Sequence, residues 1–190
     1  MRIILASQSP RRRELLELMG LEFQVRVADI DETMDLNADP ADEVARVSAA
    51  KANAIEAGPE DLVLAADTIV VCQGRILGKP HSPREAREML ELLSGRDHQV
   101  MTGYTLRRGD KILTHTEVSH IHFRPLLPDE IRAYVETGEP MDKAGAYGIQ
   151  GKAALFVSRL EGDYYNVMGL PLCALTRCLR RWGVEVLGMT

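Results

Sequence analysis

The chain has 190 residues, 45% hydrophobic and 27% charged, with a net charge of −5. That length buries a real core, as one domain or as two small lobes sharing a cleft, and the acidic balance argues against broad nucleic-acid binding, which needs a basic face. No apolar run approaches the roughly 20 residues of a membrane span, no leader segment is evident, and Cys72, Cys173 and Cys178 have no zinc-like spacing, so a cytoplasmic setting is expected.

The apolar strand Ile3-Ile4-Leu5-Ala6 runs into a helix whose first turn carries Arg11, Arg12 and Arg13. Ser9 suits the N-cap and Pro10 the first helical position. Three cations at that end oppose the helix dipole. An anion resolves the conflict, because free N–H groups, dipole and guanidinium forks together make a phosphate site. The competing reading is a solvated face of an ordinary amphipathic helix. Gly20 closes the helix, and Phe23 to Val27 alternates as a strand. Residues 28–38 are irregular and acidic, with Asp29, Asp31, Glu32 and Asp35. Asp39-Pro40 opens an alanine-rich helix that closes at Gly58-Pro59. Within it, Lys51 has by default the place of a solvated side chain.

Leu62 to Ala66 is a continuous apolar run, as in a strand buried on both faces. Asp67 follows at once, and functional groups of open α/β sheets collect at the carboxyl ends of strands. A carboxylate there can activate water or ligate a divalent ion, or simply cap a turn. Ile69 to Leu77 reads as a hairpin around Gln73-Gly74. Gly78-Lys79-Pro80 fixes a lysine in a bend where it can meet phosphate as a point charge; it is not a P-loop, since Pro80 stands where a metal-binding hydroxyl is needed.

Ser82-Pro83-Arg84-Glu85 is a capping box opening a helix to Leu93, stopped by Gly95. His98 to Arg107 and Lys111 to Phe123 form an antiparallel pair around Arg108-Gly109. A short helix follows Pro128-Asp129, and Asp142 to Gly151 holds too many glycines for regular structure. Such a loop lets backbone approach a ligand, with Lys143, Tyr147 and Gln150 offering charge, stacking and an amide. Ala154 to Leu160 reads as a strand, Leu170 to Trp182 as a helix and Val184 to Val186 as a last strand. His120 and His122 share a strand face without a third ligand, Cys173 and Cys178 suit core or partly buried thiols, and no base stands near Ser7 or Ser9 to make a nucleophile. The order is mixed α/β, a twisted mixed sheet in two lobes.

Several of these pieces recur together in one family. Ser7-Gln8-Ser9-Pro10-Arg11-Arg12, Lys51-Ala52, Ala66-Asp67-Thr68, Leu77-Gly78-Lys79-Pro80, Leu93-Ser94-Gly95 with His98-Gln99-Val100, and the block from Asp142 to Gly151 resemble, in that order, the Maf family of nucleoside triphosphate pyrophosphatases. The resemblance runs end to end. It implies a single Maf-like domain over residues 1–190 and an α/β (mixed) fold: a twisted mixed β-sheet with flanking helices in two lobes around a cleft, similar to inosine triphosphate pyrophosphatases. It implies a homodimer and a divalent metal cation, Mg or Mn. Asp67 would be the general base and, with Glu32, a metal ligand; Ser7, Arg12, Lys51 and Lys79 would contact the triphosphate, and Arg11, Thr68 and Gln150 would bear on substrate choice.

The block from Asp142 to Gly151 resembles the branch that hydrolyses dTTP and UTP rather than the one preferring 7-methyl-GTP, and modified pyrimidine nucleotides fit the same reading. A glutamine amide can donate to O4 and accept from N3–H of uracil or thymine, though a flipped amide would suit cytosine. The rival reading is a non-catalytic nucleotide- or protein-binding regulator of cell division. Such a protein would keep the basic residues and have no use for Asp67.

Overall fold

The computed structural model describes residues 1–27, 29–35 and 37–188. The chain forms two compact units: Met1–Asp67, Thr102–Glu117 and Gly169–Thr190 make the first, Thr68–Met101 and Val118–Met168 the second. The sheet has the order β2-β1-β3-β5-β6-β7, with β4 paired to β3, where β1 is Ile3–Ala6, β2 Phe23–Val25, β3 Leu62–Cys72, β4 Arg75–Leu77, β5 Asp97–Arg108, β6 Lys111–Phe123 and β7 Val157–Glu161. β1 is parallel to β2 and β3, whereas β4 and β7 are antiparallel to their neighbours. This is the mixed sheet expected from the order of elements.

In the first unit, helices α1 (Pro10–Leu18) and α2 (Pro40–Asn53) precede the parallel strands β2 and β3. Ile4 pairs with Val63 and Ala6 with Ala65, and the period of two puts all four on one face against Ala52 and Ile55. Leu5, Leu62 and Leu64, on the alternate positions, are fully buried too. Burial on both faces is the cause of the unbroken apolar run. Asp39 caps α2 by accepting from Ala41 N at 2.8 Å. The helix lies hard against β5: a Cβ at Gly103 would stand 2.6 Å from the Val44 carbonyl oxygen. Ser48 Oγ bonds Thr105 Oγ1 at 2.8 Å, and Arg107 donates to Ala52 O and Ile55 O at 3.0 and 2.6 Å, satisfying carbonyls at the end of α2.

The second unit holds the β3–β4 hairpin, α3 (Pro83–Leu93), α4 (Pro128–Glu136), three 3₁₀ turns and α5 (Tyr164–Met168). Gln73 and Gly74 both have positive φ (51° and 73°), the two-residue turn expected there. Phe123 is the hub of its core, with His98, Tyr147 and Phe156 rings at 4.9, 4.7 and 5.9 Å.

Six local expectations are corrected. α2 ends at Asn53, well before Gly58-Pro59. Residues 152–155 form a 3₁₀ turn, so β7 begins only at Val157. The final helix, α6, is Leu172–Arg181, because Gly169 (φ 115°) and Pro171 interrupt it upstream, and only an isolated bridge at Val186 replaces the last strand. Cys173 is exposed. Ser82 Oγ accepts from Glu85 N at 3.1 Å, but Glu85 takes the amide of His81 rather than that of Ser82.

Candidate active site

β1 ends at Ala6 opposite Ala65, so Ser7 and Asp67 both lie just past the last parallel pair. Asp67 is not past the end of its strand: β3 continues through the β-branched run Thr68-Ile69-Val70-Val71 to Cys72. The site therefore collects where the parallel ladder ends, not where the strand does.

Ser9 occupies the N-cap position of α1, but its side chain caps nothing; its amide instead donates to Ser7 Oγ at 3.2 Å. Arg12 donates to the same oxygen at 3.2 Å, and its Nε donates to Gly169 O at 2.8 Å. Of the three arginines, Arg12 is buried, Arg11 half-buried and Arg13 exposed. Burial lowers the Arg12 pKa, attraction to Asp67 opposes that, Arg11 adds to the lowering, and Glu32 opposes it. Arg12 is thus a fixed, desolvated cation in the field of two carboxylates.

Lys51 is not the solvated residue its helix position suggests. Its ammonium lies 2.8 Å from Asp67 Oδ1 and 2.8 Å from Glu32 Oε2, with 15% of the Lys51 side chain and 14% of the Asp67 side chain exposed. Lys51 falls three residues beyond Ser48, on the α2 face that meets β5, and this turns it inward. The segment carrying Glu32 is tied to the same helix. Arg46 donates to Thr33 O at 2.7 Å, and Glu43 accepts from Asp35 N at 2.8 Å and from Arg46. Glu43, Arg46 and Arg107 escaped the sequence reading; the only trace of the first two was an opposite-charge pair three apart on a helix preceded by acidic chain.

The first unit therefore brings together Ser7, Arg12, Glu32, Lys51 and Asp67. Half-buried Thr68 follows Asp67 along β3, and Lys79 and Gln150 are exposed residues of the second unit. Elsewhere, His122 Nδ1 pairs with Asp97 at 2.9 Å, and among the described residues no three His, Cys, Asp or Glu side chains stand together as a metal cluster.

The Maf-like protein family matches this chain over residues 2–182. The chain belongs to that family. Two other members are close in sequence: a protein of Moorella thermoacetica, 52% identical over 98% of both chains, and one of Bacillus cereus, 48% identical over 97% of both, each named dTTP/UTP pyrophosphatase. A HAM1 protein from Coxiella burnetii, 18% identical, superposes with a TM-score of 0.51 over 95% of this chain and 99% of its own, a likeness of fold.

The donor set of this Maf-like chain suits a hard divalent cation. Two carboxylates meet at one ammonium, so their oxygens are no further apart than two such contacts. Mg²⁺ takes oxygen ligands, commonly one or two carboxylates with the rest from substrate phosphates and water. Glu32 and Asp67 fit that pattern.

Proposed function

We propose that this chain hydrolyses dTTP and UTP, and modified pyrimidine nucleotides of the same shape, to the nucleoside monophosphate and pyrophosphate. The observation that carries the reading is the Glu32–Lys51–Asp67 chain beside buried Arg12. Cations and carboxylates alternate there at the end of a parallel ladder, as charge neutralisation and water activation together require. The shared name of the two relatives supports it.

Arg12 is pre-oriented through Gly169 O and can fork onto a phosphate without a conformational search. Ser7, fixed by the Ser9 amide and Arg12, can offer its O–H to a phosphate oxygen. Lys51 and Lys79 supply point charges. Asp67 would take a proton from water attacking the α-phosphorus in line; the P–O bond to the β-phosphate breaks, and pyrophosphate leaves. A divalent cation, Mg²⁺ or Mn²⁺, held by Glu32 and Asp67 would supply charge neutralisation on the phosphates. Arg11, Thr68 and the amide of Gln150 would select the base.

The same reading has the chain working as a homodimer in the cytoplasm, apart from nucleic acid and membranes. The net charge of −5 disfavours nucleic acid as a partner, and among the described residues no helix is long and apolar enough to cross a membrane. The test is product analysis across a nucleotide panel with Mg²⁺ or Mn²⁺. Pyrophosphate and the monophosphate are expected from dTTP and UTP; orthophosphate with a diphosphate would place the cut at the wrong anhydride, and no turnover would favour the regulator.

A further inference from the structure

Gln150 is exposed, yet the turn that presents it is held from both ends. Gly151 N donates to Gly148 O at 3.0 Å, which makes Gly148 to Gly151 a four-residue turn with Ile149 and Gln150 at its tip. At one end, Gly148 N donates to Tyr134 Oη at 3.2 Å. At the other, Lys152 N donates to Glu139 Oε2 at 3.2 Å. The two anchors are joined, since Tyr134 Oη donates to Glu139 Oε1 at 2.9 Å. Lys143 Nζ adds a bond to Glu139 O at 2.7 Å.

Two further facts mark this as a built arrangement. The turn's end glycines sit against the anchors: a Cβ at Gly151 would run into the Glu139 carboxylate, and one at Gly148 would lie 2.6 Å from Lys143 Cε. Tyr134 is itself buried, 3% exposed and packed edge-on to Phe156 at 5.2 Å. Burial raises the pKa of its phenol, so it stays protonated and can donate to Glu139 while accepting from Gly148.

We propose that Tyr134 and Glu139 are positioning residues for nucleobase selection: together they clamp both ends of the Gly148–Gly151 turn and so fix where the Gln150 amide stands. The inference rests on the pyrimidine reading of the site. A side chain that must both donate to and accept from one base edge discriminates only if its backbone is fixed, because a shift of about 1 Å loses aligned hydrogen bonds. Exposed Gln150 has no packing of its own to supply that. The clamp does.

The experiment compares the intact protein with Tyr134→Phe, Glu139→Gln and Gln150→Ala. Phenylalanine keeps the ring packing and removes one oxygen; glutamine keeps the shape and loses one of two acceptors. Each clamp variant should lower the ratio of kcat/KM for dTTP to that for dGTP, whose base offers the same carbonyl and N–H edge further from the sugar, by about 3- to 10-fold, mostly through KM, with kcat for dTTP within about 2-fold. Amide exchange at Gly148 and Lys152 should quicken by about 10-fold or more, with the core of β3 unchanged. Gln150→Ala should lose the same preference while exchange at those two amides stays slow. Faster exchange with an unaltered base preference would overturn the proposal, as would unaltered exchange in both clamp variants. An intact protein inert toward pyrimidine triphosphates would instead overturn the reading beneath it.

Discussion

Asp67→Asn keeps the shape of the side chain and removes its capacity to take a proton. If Asp67 is the base, turnover should fall about 10²–10⁴-fold with nucleotide affinity largely kept. If it serves chiefly as a metal ligand, affinity and metal requirement should move with the rate. Titrating turnover and metal-dependent nucleotide binding on one folded variant separates the two, and near-normal turnover would remove Asp67 from both roles. For the cations, Arg12→Ala and Lys79→Ala should each lower kcat/KM by roughly 10- to 200-fold, since charge-assisted hydrogen bonds contribute about 1.5–3 kcal/mol. Steady-state kinetics on well-folded variants reads this, and unchanged values in both would show that neither cation holds the phosphates. At this scale the sequence was partly legible. The three arginines set against the helix dipole and the unbroken apolar run before Asp67 were the signals that led to Arg12 and Asp67, two residues the first unit brings near Lys51 and Glu32. Lys51 was not legible from spacing, because a single lysine on a helix carries no mark of which way it faces; only the seating of α2 on β5 turns it to Glu32 and Asp67.

That seating makes α2 the element on which the site depends. Its start is set by the Asp39 cap, its end by Arg107, and its height above the sheet by the missing side chain at Gly103. Gly103→Ala would press a methyl against the Val44 and Ala45 backbone, which cannot rotate away as a flexible side chain could. Overpacking of this kind costs about 1–3 kcal/mol. Chemical denaturation should show that loss, and activity should fall with it, since α2 carries both Lys51 and the arginine that anchors the Glu32 segment. Full stability with full activity would show that the helix can lift without harm. Elements with strong local signals were readable: the caps of α2 and α3, the Gln73-Gly74 turn, the long β5–β6 pair. Those decided by distant partners were not. β7 starts late because Lys152–Leu155 coils into a turn, and Val184 to Val186 matched a strand in composition but gained only one bridge.

Across the whole molecule, arginine hydrogen bonds hold three carboxyl groups far below their ordinary values. Glu43 and Glu130 fall from 4.5 to about 2, through Arg46 and Arg124, and Asp61 from 3.8 to about 2, through Arg2. In the range between those values the unfolded chain binds more protons than the folded one. Their stabilisation is therefore complete above about pH 4.5 and lost as pH falls toward 2. His98 acts earlier. Burial lowers its pKa from 6.5 to about 4, so its neutral folded form begins to lose ground below pH 6.5, by on the order of 3 kcal/mol at pH 4. Urea midpoints should decline from about pH 6.5 in the intact protein and only below about pH 4.5 in His98→Asn; matching profiles would show that His98 is not held neutral. The helix α1 has a further consequence. It begins with three arginines and no acid in its first turn, an arrangement the helix dipole opposes and a bound anion would favour. Ligand at a hundred times its Kd adds about 2.7 kcal/mol, some 5–10 °C in melting temperature for a chain of this size. If the proposed nucleotides bind there, durability would track supply: melting temperature and resistance to protease should rise with added dTTP or UTP and fall back when it is removed.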